Sequence, residues 1–141
     1  MSPKKIHSTM AHERLLTEVE LELMNIIWTL GNTTIKEVVS QLSAKRSLAY
    51  TTVATVFKVL EKKGFLKCQK STHAHIFIPV VSKSDYESTC LDHVVTNVFD
   101  GEPLALVQRL LVANKLQQQD IQAIEKALKQ LSTDKNLTGI E

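Results

Sequence analysis

A chain of 141 residues, 43% of them hydrophobic, is long enough for a packed domain with an extension and too apolar for wholesale disorder. The net charge of +2 hides a division: residues 1–81 hold eleven Lys and Arg against six Glu, and residues 82–141 hold six Lys and Arg against nine Asp and Glu. Two cysteines are too few for a disulfide framework, no apolar run is long enough to cross a bilayer, and no apolar segment follows Lys4 and Lys5, so the sequence reads as cytoplasmic with no membrane partner.

Residues 1–14 are polar and aperiodic and read as a flexible N-terminal arm. Thr17 and Glu20 have the spacing of a capping box, in which each side chain satisfies a backbone donor at the helix start; Leu16 and Leu21 supply a hydrophobic staple. Val19, Leu23, Ile26, Ile27 and Leu30 recur at helical spacing, Trp28 closes the same core, and Gly31 ends the run. Thr34 and Glu37 repeat the capping pattern ahead of Ile35, Val38, Val39 and Leu42, predicting a second helix. Beyond the polar stretch 43–47, Val53, Val56, Phe57 and Leu60 predict a third helix from about Tyr50 to Lys63, stopped by Gly64. Alternation then replaces the helical period. Phe65, Leu66 and Cys68 lead to a polar turn, Ser71-Thr72-His73-Ala74, and Ile76, Phe77, Ile78 and Val80 resume beyond it, which predicts a β-hairpin.

The remainder is helical. Ser82 with Asp85, or Ser84 with Glu87, caps a helix reaching about Phe99, with Gly101 as its stop. Pro103 occupies a first helical position ahead of Leu104, Leu106, Val107, Leu110 and Leu111. A last helix from about Asp120 carries Ile121, Ile124, Leu128 and Leu131. These short amphipathic helices have no sheet to cover them, so a second copy of the chain is the simplest partner. Leu106, Val107, Leu110, Leu111, Ile121, Ile124 and Leu128 are the expected dimerisation residues.

Three helices and a hairpin in this order make a winged helix-turn-helix, a fold that sets its third helix in the major groove and its hairpin along the phosphates. Between Lys36 and Lys70 there are eight basic residues against Glu37 and Glu61, which suits a polyanionic partner. Once the apolar residues of the third helix face inward, Tyr50, Thr51, Thr52, Thr55 and Lys58 face outward. Hydroxyls bond phosphate oxygens and a threonine methyl meets a thymine methyl; alternatively, some of these threonines only cap the helix. Lys45, Arg46, Lys62, Lys63, Lys67 and Lys70 are the expected phosphate contacts.

Other chemistry is thin. Four glycines make no phosphate loop, and no nucleophile has a base and an orienting acid, so the sequence does not read as an enzyme and implies no cofactor. His73 with His75, and Cys90 with His93, are pairs with shared-ligand spacing, but neither has the density of a zinc site, and Cys68 reads as a small buried hydrophobe.

With these residues placed, the chain resembles the penicillinase repressor family of the BlaI/MecI type from about Leu16 to Leu131. The likeness rests on Leu16-Thr17-Glu18-Val19-Glu20, on Met24-Asn25-Ile26-Ile27-Trp28, and on the run Ala49 to Val56 with Leu60 and Lys63-Gly64. Phe99-Asp100-Gly101 and Leu106-Val107 continue it. The resemblance implies a winged helix, a helical dimerisation region, and repression from a palindromic operator; in members that guard β-lactam resistance, a membrane-bound sensor protease leads to repressor cleavage. The family's Asn-Phe scissile pair falls here on Arg109-Leu110, a departure from the proteolytic route. Copper-responsive relatives carry a cysteine-rich motif near the C-terminus, and no cysteine follows Cys90; the wing turn also lacks the glycine members often carry.

The expectation is therefore a mainly α chain with a small β-hairpin wing. Residues 1–14 form an arm, 15–81 a winged helix-turn-helix DNA-binding domain and 82–141 a C-terminal helical dimerisation region, with a hinge near Val81–Ser84. The expected function is a homodimeric, sequence-specific repressor on double-stranded operator DNA, with antibiotic-resistance or stress genes as its targets and an upstream sensor the sequence does not identify. A winged helix that binds protein, or a metal-dependent sensor, is the alternative.

Overall fold

The computed structural model describes residues 15–42, 46–113 and 115–138. Their elements, in chain order, are α1 (Glu18–Leu30), α2 (Ile35–Gln41), α3 (Tyr50–Lys62), β1 (Leu66–Lys70), β2 (His75–Pro79), α4 (Lys83–Asn97), α5 (Pro103–Val112) and α6 (Gln118–Thr138). The chain divides into two compact units after Val94.

The first unit is a winged helix-turn-helix. Both expected capping boxes form in full: Thr17 Oγ1 accepts from the Glu20 N–H at 3.2 Å while Glu20 Oε1 accepts from the Thr17 N–H at 2.9 Å, and Thr34 with Glu37 repeats the exchange. Two of the orphan donors at each helix start are thereby satisfied within four residues of chain. Leu23, Met24 and Ile27 of α1 are buried with Val38 of α2 and with Val53, Phe57 and Leu60 of α3. Leu30, expected among the core residues of α1, is instead exposed, and Met24 takes a place in the core.

The wing is tied to this core through Phe77. β1 and β2 are antiparallel, with Cys68 opposite Phe77 and Lys70 opposite His75. The Phe77 ring meets Phe57 edge-on, centroids 4.8 Å apart, and its backbone exchanges hydrogen bonds of 3.0 and 2.7 Å with Thr33. That exchange lets Thr33, a polar residue between α1 and α2, be fully buried without an orphaned backbone group.

The first unit runs beyond the Val81–Ser84 segment expected as a hinge. Ser82 is the cap of α4, since its Oγ accepts from the Asp85 N–H at 3.0 Å. One turn on, Tyr86 is buried, with its ring 5.8 Å from Trp28 and 5.6 Å from Phe65 by centroids. Its hydroxyl accepts from the Leu16 N–H at 2.8 Å, and Trp28 Nε1 donates to the Val81 carbonyl at 2.9 Å. Burial pushes the Tyr86 phenol up to about 12, so it stays neutral and holds the start of α1 at any physiological pH.

In the second unit, Asp100 and Gly101 turn the chain after α4 with φ of 52° and 77°, a left-handed bend that glycine adopts without strain. Pro103 opens α5 as expected, and Asp120 Oδ2 accepts from the Gln117 N–H at 2.8 Å at the start of α6. No α5 side chain is buried.

Glu20 does more than cap. It is buried, and its Oε1 also meets Lys63 Nζ at 2.7 Å, joining the start of α1 to the residue that follows α3. Burial alone raises a carboxyl, but the Lys63 ammonium and the Thr17 N–H outweigh it and hold Glu20 below its ordinary 4.5. A depressed carboxyl contributes stability that is complete above pH 4.5 and is lost as the pH falls through the lower folded value. Glu20→Gln should therefore cost about 1–3 kcal/mol at neutral pH, short of a fully buried pair because Lys63 keeps some exposure. Urea melts across pH should show the gap between wild type and variant closing as the medium is acidified below that value.

Candidate nucleic-acid interface

The helix α3 has two unlike sides. Val53, Phe57 and Leu60, spaced by four and three residues, are fully buried. Opposite them Thr51, Thr55, Lys58 and Lys62 follow one another at spacings of four, three and four, all exposed, with Thr52 exposed beside Thr55. Tyr50, the first helical residue, is 54% exposed.

Capping does not account for the threonines. The cap of α3 is Ala49, which has no side-chain oxygen to offer, so no hydroxyl closes this helix start. Thr55 Oγ1 donates to the Thr51 carbonyl at 3.0 Å, and Thr55 remains exposed. A helix N-terminus with uncapped N–H groups, hydroxyls on its first turns and lysines further along presents donors and positive charge to an anion.

The basic residues expected to contact phosphate fall into different settings. Lys58, Lys62, Lys67 and Lys70 are exposed. On the wing, Lys70 pairs in register with His75 and lies on the same face as Phe77, while Lys67 pairs with Ile78 on the other face. Lys63 points inward to Glu20 and to the Leu15 carbonyl, at 2.7 and 3.5 Å. Arg46 is also engaged, with Nε 2.6 Å from Glu22 and Nη2 3.5 Å from Glu18. Two positive charges of the set are thus neutralised by α1. Lys45 lies outside the described residues.

No group of three or more His, Cys, Asp and Glu among the described residues is placed to hold a metal. The wing does bring Cys68 Sγ to 3.8 Å from His75 Nδ1, a proximity that follows from register. A four-residue turn at 71–74 sets Cys68 opposite Phe77, two residues from His75, so the hairpin pattern already contained it. No described helix is long and apolar enough to cross a membrane.

Within its own unit the helical tail leaves its apolar residues bare. Val107, Leu110, Leu111, Ile124 and Leu128 are exposed, Leu128 at 62%, while Leu106 and Ile121 are half-buried. Arg109 is exposed on α5 with Leu110.

The family model of the penicillinase repressor matches residues 16–130. The chain belongs to the penicillinase repressor family. It is 24% identical over 115 residues to the penicillinase repressor of Bacillus licheniformis, covering 82% of this chain and 90% of that protein. It is 35% identical over 77 residues to the transcriptional regulator BlaI of Mycobacterium tuberculosis, covering 54% of this chain and 56% of that one. Among solved structures, that of the Bacillus licheniformis BlaI monomer in complex with the blaP half-operator is 30% identical, with a TM-score of 0.44 over 51% of this chain and 88% of that one.

The different settings of Lys63, paired with Glu20, and Lys58, exposed on α3, predict opposite behaviour from the same substitution. Lys63→Ala should lower the melting temperature and leave the salt dependence of DNA binding unchanged. Lys58→Ala should leave the melting temperature unchanged and reduce the slope of log affinity against log salt by about 1. Thermal melts and salt titrations by fluorescence anisotropy check both.

Proposed function

We propose that this chain is a transcriptional repressor that binds operator DNA as a homodimer, with α3 in the major groove and the wing beside the phosphates. The observation that carries this reading is the outer face of α3. An uncapped helix start, followed by Tyr50, Thr51, Thr52, Thr55 and Lys58, has short polar side chains for base edges and a lysine for the backbone, and its other side is fully committed to the core. Thr52 and Thr55 sit closest to the bases, and Lys58, Lys62, Lys67 and Lys70 neutralise phosphates. Arg46 and Lys63 act indirectly, by fixing α1 against either end of the recognition helix.

Residues from 15 through the start of α4 bind DNA in this reading, and the helical remainder pairs the two copies. Helices whose leucines stay exposed draw little stability from packing within their own chain. Burying them against a second chain yields about 25 cal/mol per Å² of apolar surface before association costs, and two-fold pairing matches a palindromic operator. Membership of a family of penicillinase repressors favours resistance genes as the regulated class.

The reading is tested by a gel shift on genomic fragments enriched by the purified protein. Affinity should fall by about a thousandfold or more between about 50 and 200 mM salt for a dimer making six or more phosphate contacts. Binding that ignores salt would favour a protein-binding winged helix instead. Thr52→Ala should cost roughly 1–3 kcal/mol at one base position with no loss of stability. In the tail, a buried aspartate at Leu110→Asp or Ile124→Asp has no partner, so sedimentation should show a folded monomer, and operator affinity should drop because the half-sites are no longer linked.

A further inference from the structure

Between Glu61 and Asp85 the sequence contains no acidic residue, and within that stretch lie Lys62, Lys63, Lys67, Lys70, Lys83, His73 and His75. Both histidines are on the wing. His73 is exposed in the turn, where its own N–H donates to Ser71 Oγ at 3.3 Å. His75 is exposed at the first position of β2, directly across the ribbon from Lys70. The titratable residues beside His75 on β1 are Cys68, whose Sγ is 3.8 Å from Nδ1, and Lys70, its partner in register. Around His73 the titratable neighbours in the chain are Lys70 and His75. No ion pair among the described residues involves the wing.

We propose that His73 and His75 are phosphate-contacting residues of the wing, and that they make DNA binding proton-linked. This rests on the reading of the chain as a DNA-binding winged helix. Histidine is the side chain whose charge changes between about pH 5 and 8. The wing carries lysine beside imidazole and no carboxylate. Beside a phosphate the anion favours the imidazolium, so DNA binding is linked to proton uptake. Each protonated histidine then neutralises one more phosphate and displaces its counterion. Sequence-independent affinity should accordingly rise as the pH falls, and the salt dependence should steepen by about 0.9 in log–log slope per imidazolium.

The test uses the full chain and a labelled duplex of mixed sequence, about 30 base pairs long, titrated at low salt near pH 8 and near pH 6. Wild type should bind about tenfold more tightly at the lower pH, with a steeper salt slope. The double variant His73→Gln/His75→Gln should change in affinity by less than about twofold between the two conditions. The double variant His73→Lys/His75→Lys should hold the tighter affinity at both, which excludes a folding defect as the cause. Wild-type affinity that is the same at both pH values overturns the proposal, and so does a glutamine variant that retains the full pH dependence. DNA binding that is pH-independent sinks only the role of the wing histidines; no DNA binding under either condition sinks the reading on which it rests.

Discussion

Phe77 is where α3, the wing and the connection between the first two helices meet. Its ring lies edge-on to Phe57, its strand pairs with β1 at Cys68, and its backbone is hydrogen-bonded to Thr33 in both directions. With one residue holding three elements, the wing cannot shift without moving α3. Aromatic edge-to-face packing adds about 0.5–1.5 kcal/mol to the burial itself, and the Thr33 exchange makes the position directional as well as apolar. The two surfaces proposed to meet DNA, the outer side of α3 and the wing, are linked through this residue.

A second consequence of the packing is electrostatic sorting. The front of the chain is basic, but its positive charges do two kinds of work. Lys63 and Arg46 pair with carboxylates of α1 and brace the ends of α3. Lys58, Lys62, Lys67 and Lys70 are left exposed on α3 and the wing. Positive charge that braces the fold contributes nothing to counterion release, so the salt dependence of binding counts fewer residues than the sequence contains.

Much of this architecture was legible in local pattern. Thr17 with Glu20 and Thr34 with Glu37 act within one helical turn, and both capping boxes are formed as their spacing predicted. The inward face of α3 and the wing strands follow from periods of 3.6 and 2. What pattern could not supply is pairing across long stretches of chain. Lys63 meets Glu20 from forty-three residues away and Tyr86 meets Leu16 from seventy, so neither partner is implied by its neighbours. Lys63 therefore reads from sequence as a phosphate contact, and nothing near Tyr86 in the sequence marks its partner. The same gap places the end of the first unit at Val94 rather than near Val81, because the tyrosine that fastens α4 to the winged helix has no local signature.

Leu16, Lys63 and Tyr86 converge on the first residues of α1, so the start of that helix senses both the end of α3 and the helix leading out of the unit. One side of α3 and the wing are the surfaces proposed to meet the duplex. Backbone amide chemical shifts followed during titration with duplex DNA map that surface directly. The account predicts the largest changes at residues 50–58 and at the wing turn 71–75, with those of residues 23–27 on the buried side of α1 nearly still. Changes concentrated on α5 and α6, with residues 50–58 unmoved, would contradict it.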